Sequence, residues 1–140
     1  MKITVEKLVR APLSVVWAAY TTPTDIIAWN AASDDWHTTK SAVDLKVGGI
    51  FSSRMEAKDG SFGFDFAGTY TEVEPETRLA YDMGERHAEI DFIPTDGGVT
   101  VRITFDAETQ NPVDMQRAGW QAILDNFARH TEAKGPGPIA

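Results

Sequence analysis

An α+β fold, with an antiparallel sheet laid against one long C-terminal helix, is predicted for this chain by three observations. Across residues 111–134, Trp120, Ile123, Leu124 and Phe127 recur at i, i+3, i+4 and i+7, the spacing of one apolar stripe on a helix. Residues 50–107 are divided into five short strands by the turn signals Asp59-Gly60, Glu74-Pro75-Glu76, Gly84-Glu85 and Asp96-Gly97-Gly98. The breaks are short, which favours neighbouring antiparallel strands and hence a meander. A helix with one apolar face must bury it against another element, and the sheet is the partner available.

Taken in order, residues 2–10 read as a first strand, with Ile3, Val5 and Val9 on one face. Pro12 can open a helix in which Leu13, Val16, Trp17 and Tyr20 share a stripe. A second short helix follows, with Thr22 as N-cap, Pro23 at its first position and Asp25 in its first turn. From Asn30 to Lys40 no period holds, and the segment is read as a loop carrying Asp34, Asp35, Trp36 and His37. Gly48-Gly49 marks a bend or bulge before a strand that runs to about Ala57. In the meander, alternation groups Phe51, Ser53 and Met55, then Phe62, Phe64, Phe66, Gly68 and Tyr70. The later strands give Leu79, Tyr81 and Met83, then Val99, Val101, Ile103 and Phe105. These sets are apolar enough to line either a core or a pocket. The long helix starts with Asn111 as N-cap, Pro112 at its first position and Asp114 in the first turn. Residues 1–134 are expected to form one domain and residues 135–140 a frayed tail.

At 140 residues, with 42% hydrophobic and 24% charged residues, the composition is that of an ordinary soluble domain. No apolar run approaches the ~18 residues of a membrane span, and the opening residues alternate like a strand with no apolar signal-peptide core. No membrane insertion and a cytoplasmic location are therefore expected. Thirteen Lys and Arg against 21 Asp and Glu give a net charge of −8 without a basic run, which disfavours nucleic acid and anionic membrane surfaces as partners. With no cysteine, disulfides, a thiolate nucleophile and cysteine-ligated metals are excluded.

The opening, Ala11-Pro12, Val16-Trp17, Tyr20-Thr21-Thr22-Pro23 and Trp29, resembles START-like (SRPBCC) superfamily members related to the activator of the Hsp90 ATPase. Further matches to that pattern are Asp44 to Gly49, Gly68 to Pro75 with Leu79, and Gly119-Trp120 with Leu124 and Phe127, so that the resemblance covers about residues 1–132. It implies the helix-grip fold, in which a curved antiparallel sheet wraps the C-terminal helix and leaves a cavity between them. The superfamily includes lipid and hormone binders and aromatic polyketide cyclases, without a common set of catalytic residues. The eukaryotic activator carries an additional N-terminal domain for chaperone contact that is not among these residues, which places Hsp90 low among the expected partners.

For metal binding, only Asp34, Asp35 and His37 cluster, since His87 and His130 fall on a strand and the last helix; neither a metal nor a cofactor is expected. Gly60-Ser61-Phe62-Gly63 lacks the spacing of a nucleophile elbow, and Gly48-Gly49 is no phosphate-binding loop. General acid or base candidates are Asp35, His37, Glu56, Asp65, Tyr81, His87, Glu89 and Arg102. Most alternate away from the apolar sets, leaving His37 and Tyr81 as the catalytic candidates. The expected lining of a ligand cavity is Trp36, Phe51, Met55, Phe64, Phe66 and Tyr81 from the sheet side, with Trp120, Leu124 and Phe127 from the helix. The expected function is binding of a small hydrophobic or aromatic molecule between sheet and helix, by a monomer or homodimer. A cyclase-type enzyme using the same cavity, and an interaction module acting on Hsp90, are the alternatives.

Overall fold

The computed structural model describes residues 1–134; the expected tail, 135–140, lies outside the described residues. The elements follow in the order β1 (Lys2–Val9), α1 (Leu13–Thr21), α2 (Pro23–Trp29), β2 (Trp36–Val43), β3 (Ile50–Ala57), β4 (Gly63–Glu74), β5 (Arg78–Met83), β6 (Arg86–Thr95), β7 (Gly98–Asp106) and α3 (Val113–Ala133). All seven strands join one sheet in the order β1-β7-β6-β5-β4-β3-β2, each pair antiparallel. The sheet curls around α3, the helix-grip arrangement implied by the resemblance.

The strand turns are built on left-handed backbone, with φ of 61° at Glu76 and 64° at Gly84, the first of them an uncommon conformation for a residue with a Cβ. Gly48-Gly49 lies in the connection between β2 and β3, where Gly48 has φ +84° and a Cβ on Gly49 would collide with the Asp44 carbonyl. This turn is also tied to β4: the Gly48 amide donates to the Tyr70 carbonyl (2.8 Å) and the Tyr70 amide to the Gly49 carbonyl (2.9 Å).

Three expectations are corrected. The segment read as a loop contains β2, so Trp36 and His37 stand on a strand. The pairing shifts between Thr38 and Lys40, leaving Thr39 as an extra residue. Thr38 therefore faces Met55 on the inner side and Ser41 faces Ser53 on the same side, a change of phase that removes any simple alternation. Phe62 falls just before β4 and is exposed. Finally, α3 starts at Val113, with Pro112 at the N-cap position, and Asn111 does not cap it. The Asn111 amide donates instead to Glu108 Oε1. The loop is secured from inside the helix by buried Gln116, whose Nε2 donates to the carbonyls of Asn111 (2.8 Å) and Glu108 (3.1 Å), while its Oε1 accepts from the Glu108 amide (2.9 Å).

The core runs along the inner face of the sheet and includes Phe51 of β3, Tyr70 of β4 and Leu79 and Tyr81 of β5. Ile3, Val5 and Val9 of β1, Val99 to Phe105 of β7, and Ala88, Ile90 and Phe92 of β6 are buried against Leu124, Phe127 and Ala128 of α3 and Val16 and Ala19 of α1. Lys7 takes the remaining inward position of β1 and reaches Asp125 of α3 at 3.9 Å. The short helices are fastened in two ways. Trp29 Nε1 donates to the Ala19 carbonyl (2.9 Å), and Asp25 accepts from His130 Nε2 and Lys134 Nζ of α3, both at 2.8 Å. α3 packs most closely on β1, which leaves the strands from β2 to β5 standing away from it.

Candidate functional site

Between strands β2 to β5 and α3 lies a cavity of about 400 Å³, within the range of about 300–1,000 Å³ typical of small-molecule sites. Its floor is the inner face of β3, β4 and β5, set by alternation: Phe51, Ser53 and Met55, then Phe64, Phe66 and Tyr70, then Leu79 and Tyr81. Its roof is α3 between Met115 and Phe127, including Trp120, Ile123 and Leu124. Tyr20, Ile26 and Trp29 of the short helices close one side.

Two features of the backbone shape the floor. Gly68 leaves room for the Phe51 ring, because a Cβ there would lie 2.8 Å from the ring and 2.8 Å from the Asp82 carbonyl. A second register shift, between Tyr70 and Glu72, leaves Thr71 extra and changes the phase of β4. Tyr70 faces Tyr81 on the cavity side, and beyond the bulge Val73, opposite Leu79, turns inward while Glu72 pairs with Ala80 on the other side. Without the bulge, alternation would carry Glu72 inward.

Nine of the described residues lining the cavity are aromatic. Phe51 touches Phe66, Tyr70 and Tyr81 with centroids 5.7, 5.2 and 4.6 Å away. Tyr20 packs on Trp29 and Phe127 at 5.3 and 5.2 Å, and Trp120 stacks on Phe105. Among these rings sit three phenol groups, Tyr20, Tyr70 and Tyr81. None of their hydroxyls has a hydrogen-bond partner among the described residues. Burial pushes Tyr70 up to about 12, Tyr81 well above the ordinary phenol value and Tyr20 upward likewise, and for Tyr20 and Tyr81 the neighbouring tyrosines add to it. These phenols stay protonated, as persistent donors that are poorly placed to act as bases near neutrality. Among the described residues, charged groups reach the wall only at Arg86 and Glu108, both half-buried.

Of the expected lining residues, Phe51, Met55, Phe64, Phe66, Tyr81, Trp120, Leu124 and Phe127 meet at this cavity. Trp36 does not line it. It lies beyond the end of the cavity against Phe62 and Phe64, at 6.4 and 5.9 Å. The two catalytic candidates are not brought together: Tyr81 lines the cavity, whereas His37 is exposed on β2 opposite Glu56 and borders a separate polar depression. The other acid or base candidates lie elsewhere. Glu56 and Asp65 pair with Arg54, Glu89 with Arg78, and Arg102 with Glu6, while His87 Nδ1 is 2.7 Å from Asp82. Asp35 accepts from the Ser33 hydroxyl. Among the described residues no three His, Asp or Glu side chains are grouped closely enough to hold a metal ion. Tyr20 and Tyr70 were visible in their apolar stripes but carry no sequence signal that separates a cavity wall from a packed core.

Comparison with known proteins places this geometry. The chain is 50% identical to an AHSA1-like protein of Aeromonas hydrophila solved in solution, with TM-score 0.92 over 100% of this chain and 99% of that one. A Cytophaga hutchinsonii protein is 39% identical, with TM-score 0.81 over 99% and 97% of the two chains. A Nitrosomonas europaea protein shares the fold at 21% identity, with TM-score 0.83 over 96% of each. A UPF0312 protein of Pseudomonas fluorescens is 29% identical over 79% of this chain, a stretch that spans only 60% of that protein's length. The family model described as "Activator of Hsp90 ATPase homolog 1-like protein" matches residues 10–132. The chain therefore belongs to the activator of Hsp90 ATPase homolog 1-like family.

Proposed function

We propose that this protein binds a small, largely apolar molecule in the cavity between the sheet and α3. The observation that carries the reading is the cavity of about 400 Å³, which stays open although Phe51, Tyr70, Leu79, Tyr81, Leu124 and Phe127 on its wall also belong to the core. Sites of this kind combine a large apolar wall with a few polar groups that orient the ligand. The same wall offers no cluster of acid, base and nucleophile, so binding rather than turnover is the function favoured.

The test is a screen of hydrophobic and aromatic compounds by chemical-shift perturbation on isotope-labelled protein. Saturable shifts centred on the Trp120 indole, Gly119, Ile123 and Tyr70 are expected. A screen that leaves Trp120 and its neighbours unmoved counts decisively against the reading.

A further inference from the structure

Three tyrosines reach the cavity from three different elements: Tyr20 from α1, Tyr70 from β4 and Tyr81 from β5. Tyr70 and Tyr81 are directly opposed across the β4–β5 ladder, just before the bulge at Thr71. Charge on Tyr20 or Tyr70 would be felt at Tyr81, and charge on Tyr70 at Tyr20. Tyr70 and Tyr81 are 6% and 5% exposed, yet their hydroxyls bond to no group among the described residues. Three phenols that line one cavity without a protein hydrogen-bond partner leave their donors free for whatever occupies it, among the rings of Phe51, Trp29 and Phe127.

We propose that the hydroxyls of Tyr20, Tyr70 and Tyr81 form the polar end of the cavity and donate hydrogen bonds to a carbonyl oxygen on an otherwise apolar ligand. This assignment rests on the cavity-binding reading above and deepens it. A phenol is a good donor, and a carbonyl oxygen offers two acceptor sites without bringing a donor of its own. The acceptor is neutral: a charged group moved into this end would lose its hydration, and Arg86, the one cation on the wall among the described residues, is half-buried and shares that wall with the acidic Glu108. The ligand class is therefore a flat or compact hydrocarbon skeleton bearing a ketone-type oxygen, held by ring contacts with Phe51, Phe66 and Trp120.

The test uses two probes with the same three-ring skeleton: fluorenone, which carries a carbonyl, and fluorene, which lacks it. Binding of each is followed by titration of the wild-type protein and of Tyr70→Phe and Tyr81→Phe, with near-ultraviolet circular dichroism to verify their folding. Fluorenone is expected to bind about tenfold more tightly than fluorene, as two net hydrogen bonds would give. Its carbonyl stretching band is expected to move to lower frequency on binding. Each Phe variant is expected to reduce the preference about threefold and move the band back, while fluorene affinity stays the same. Equal affinities with an unshifted band would overturn the phenol assignment and leave the cavity-binding reading standing. Binding of neither probe would overturn both. If one Phe variant fails to fold, the other variant and the wild-type band decide the question.

Discussion

Trp120 of α3 lies flat on Phe105 of β7, with ring centroids 4.0 Å apart and planes 12° from parallel. Phe105 is fully buried, whereas Trp120 is only partly buried and turns toward the cavity. One stacked pair thus joins the core to the cavity wall. Phe105→Ala is expected to cost about 3–5 kcal/mol of stability. Trp120→Ala is expected to cost less despite removing the larger ring, because part of that ring has no protein neighbour. Urea denaturation of both variants checks the order, and the reverse order would show that the helix face is core.

At Gly68 the added methyl of Gly68→Ala would meet the Phe51 ring and the Asp82 carbonyl at 2.8 Å, one of them backbone that cannot swing aside. A loss of about 1–3 kcal/mol is expected from the overpacking. Because Phe51 is the hub of the aromatic floor, the methyl resonances and ring contacts of Met55 and Leu79 should shift as well. Unchanged denaturation midpoints would remove the steric argument.

Asp25 links α2 to α3 through His130 and Lys134. Burial by itself would raise its carboxyl, but hydrogen bonds from Lys134 and His130 outweigh that and hold it below the ordinary carboxylate range. A depressed folded-state value means that the carboxylate contributes stability above its unfolded value of about 3.9, a contribution lost as pH falls through the lower folded value. The stability gap between wild type and Asp25→Asn should therefore shrink as pH is lowered below about 4. Denaturation midpoints across that window test it, and a gap that widens on acidification would contradict the sign.

Gln116 makes three hydrogen bonds to the loop that leads into α3, and it is buried. Gln116→Ala leaves the Glu108 amide without its acceptor and should cost about 1–3 kcal/mol. Amide hydrogen exchange at Glu108 should accelerate more than exchange in the centre of α3. Equal acceleration at both would mean global destabilisation without loosening of the loop.

How far the sequence could be read depended on whether a strand kept its phase. In β7 every second residue from Val99 to Phe105 is large, apolar and buried, so alternation alone identified its inner face. In β2 the extra residue at Thr39 changes the phase, so Thr38 and Ser41 both point inward and the pattern looked like a loop. That error placed His37 on a loop, whereas Trp36, in phase with Thr38, is missing from the cavity wall because it stands beyond the cavity's end beside Phe62 and Phe64. The α3 stripe was legible because four large residues at helical spacing survive any adjustment of the ends. Its start was not, since Asn111 is a good capping type whose side chain is engaged by Glu108. Tyr20 sits in a stripe that looks the same whether its hydroxyl meets protein or open space, and only the fold distinguishes the two.

The position of β1 at the edge beside β7 has a consequence for how the protein is made. Lys2 bonds to Asp106, 104 residues further along, so the first strand synthesised finds its neighbour only when the last strand exists. Pairings of such long sequence separation slow folding, because a large loop must close before any contact rewards it. On a ribosome, Ile3, Val5 and Val9 stay uncovered while β2 to β6 can already zip into a meander, and α3 emerges only after β7. The core is therefore completed late, by the meeting of the two ends of the described chain.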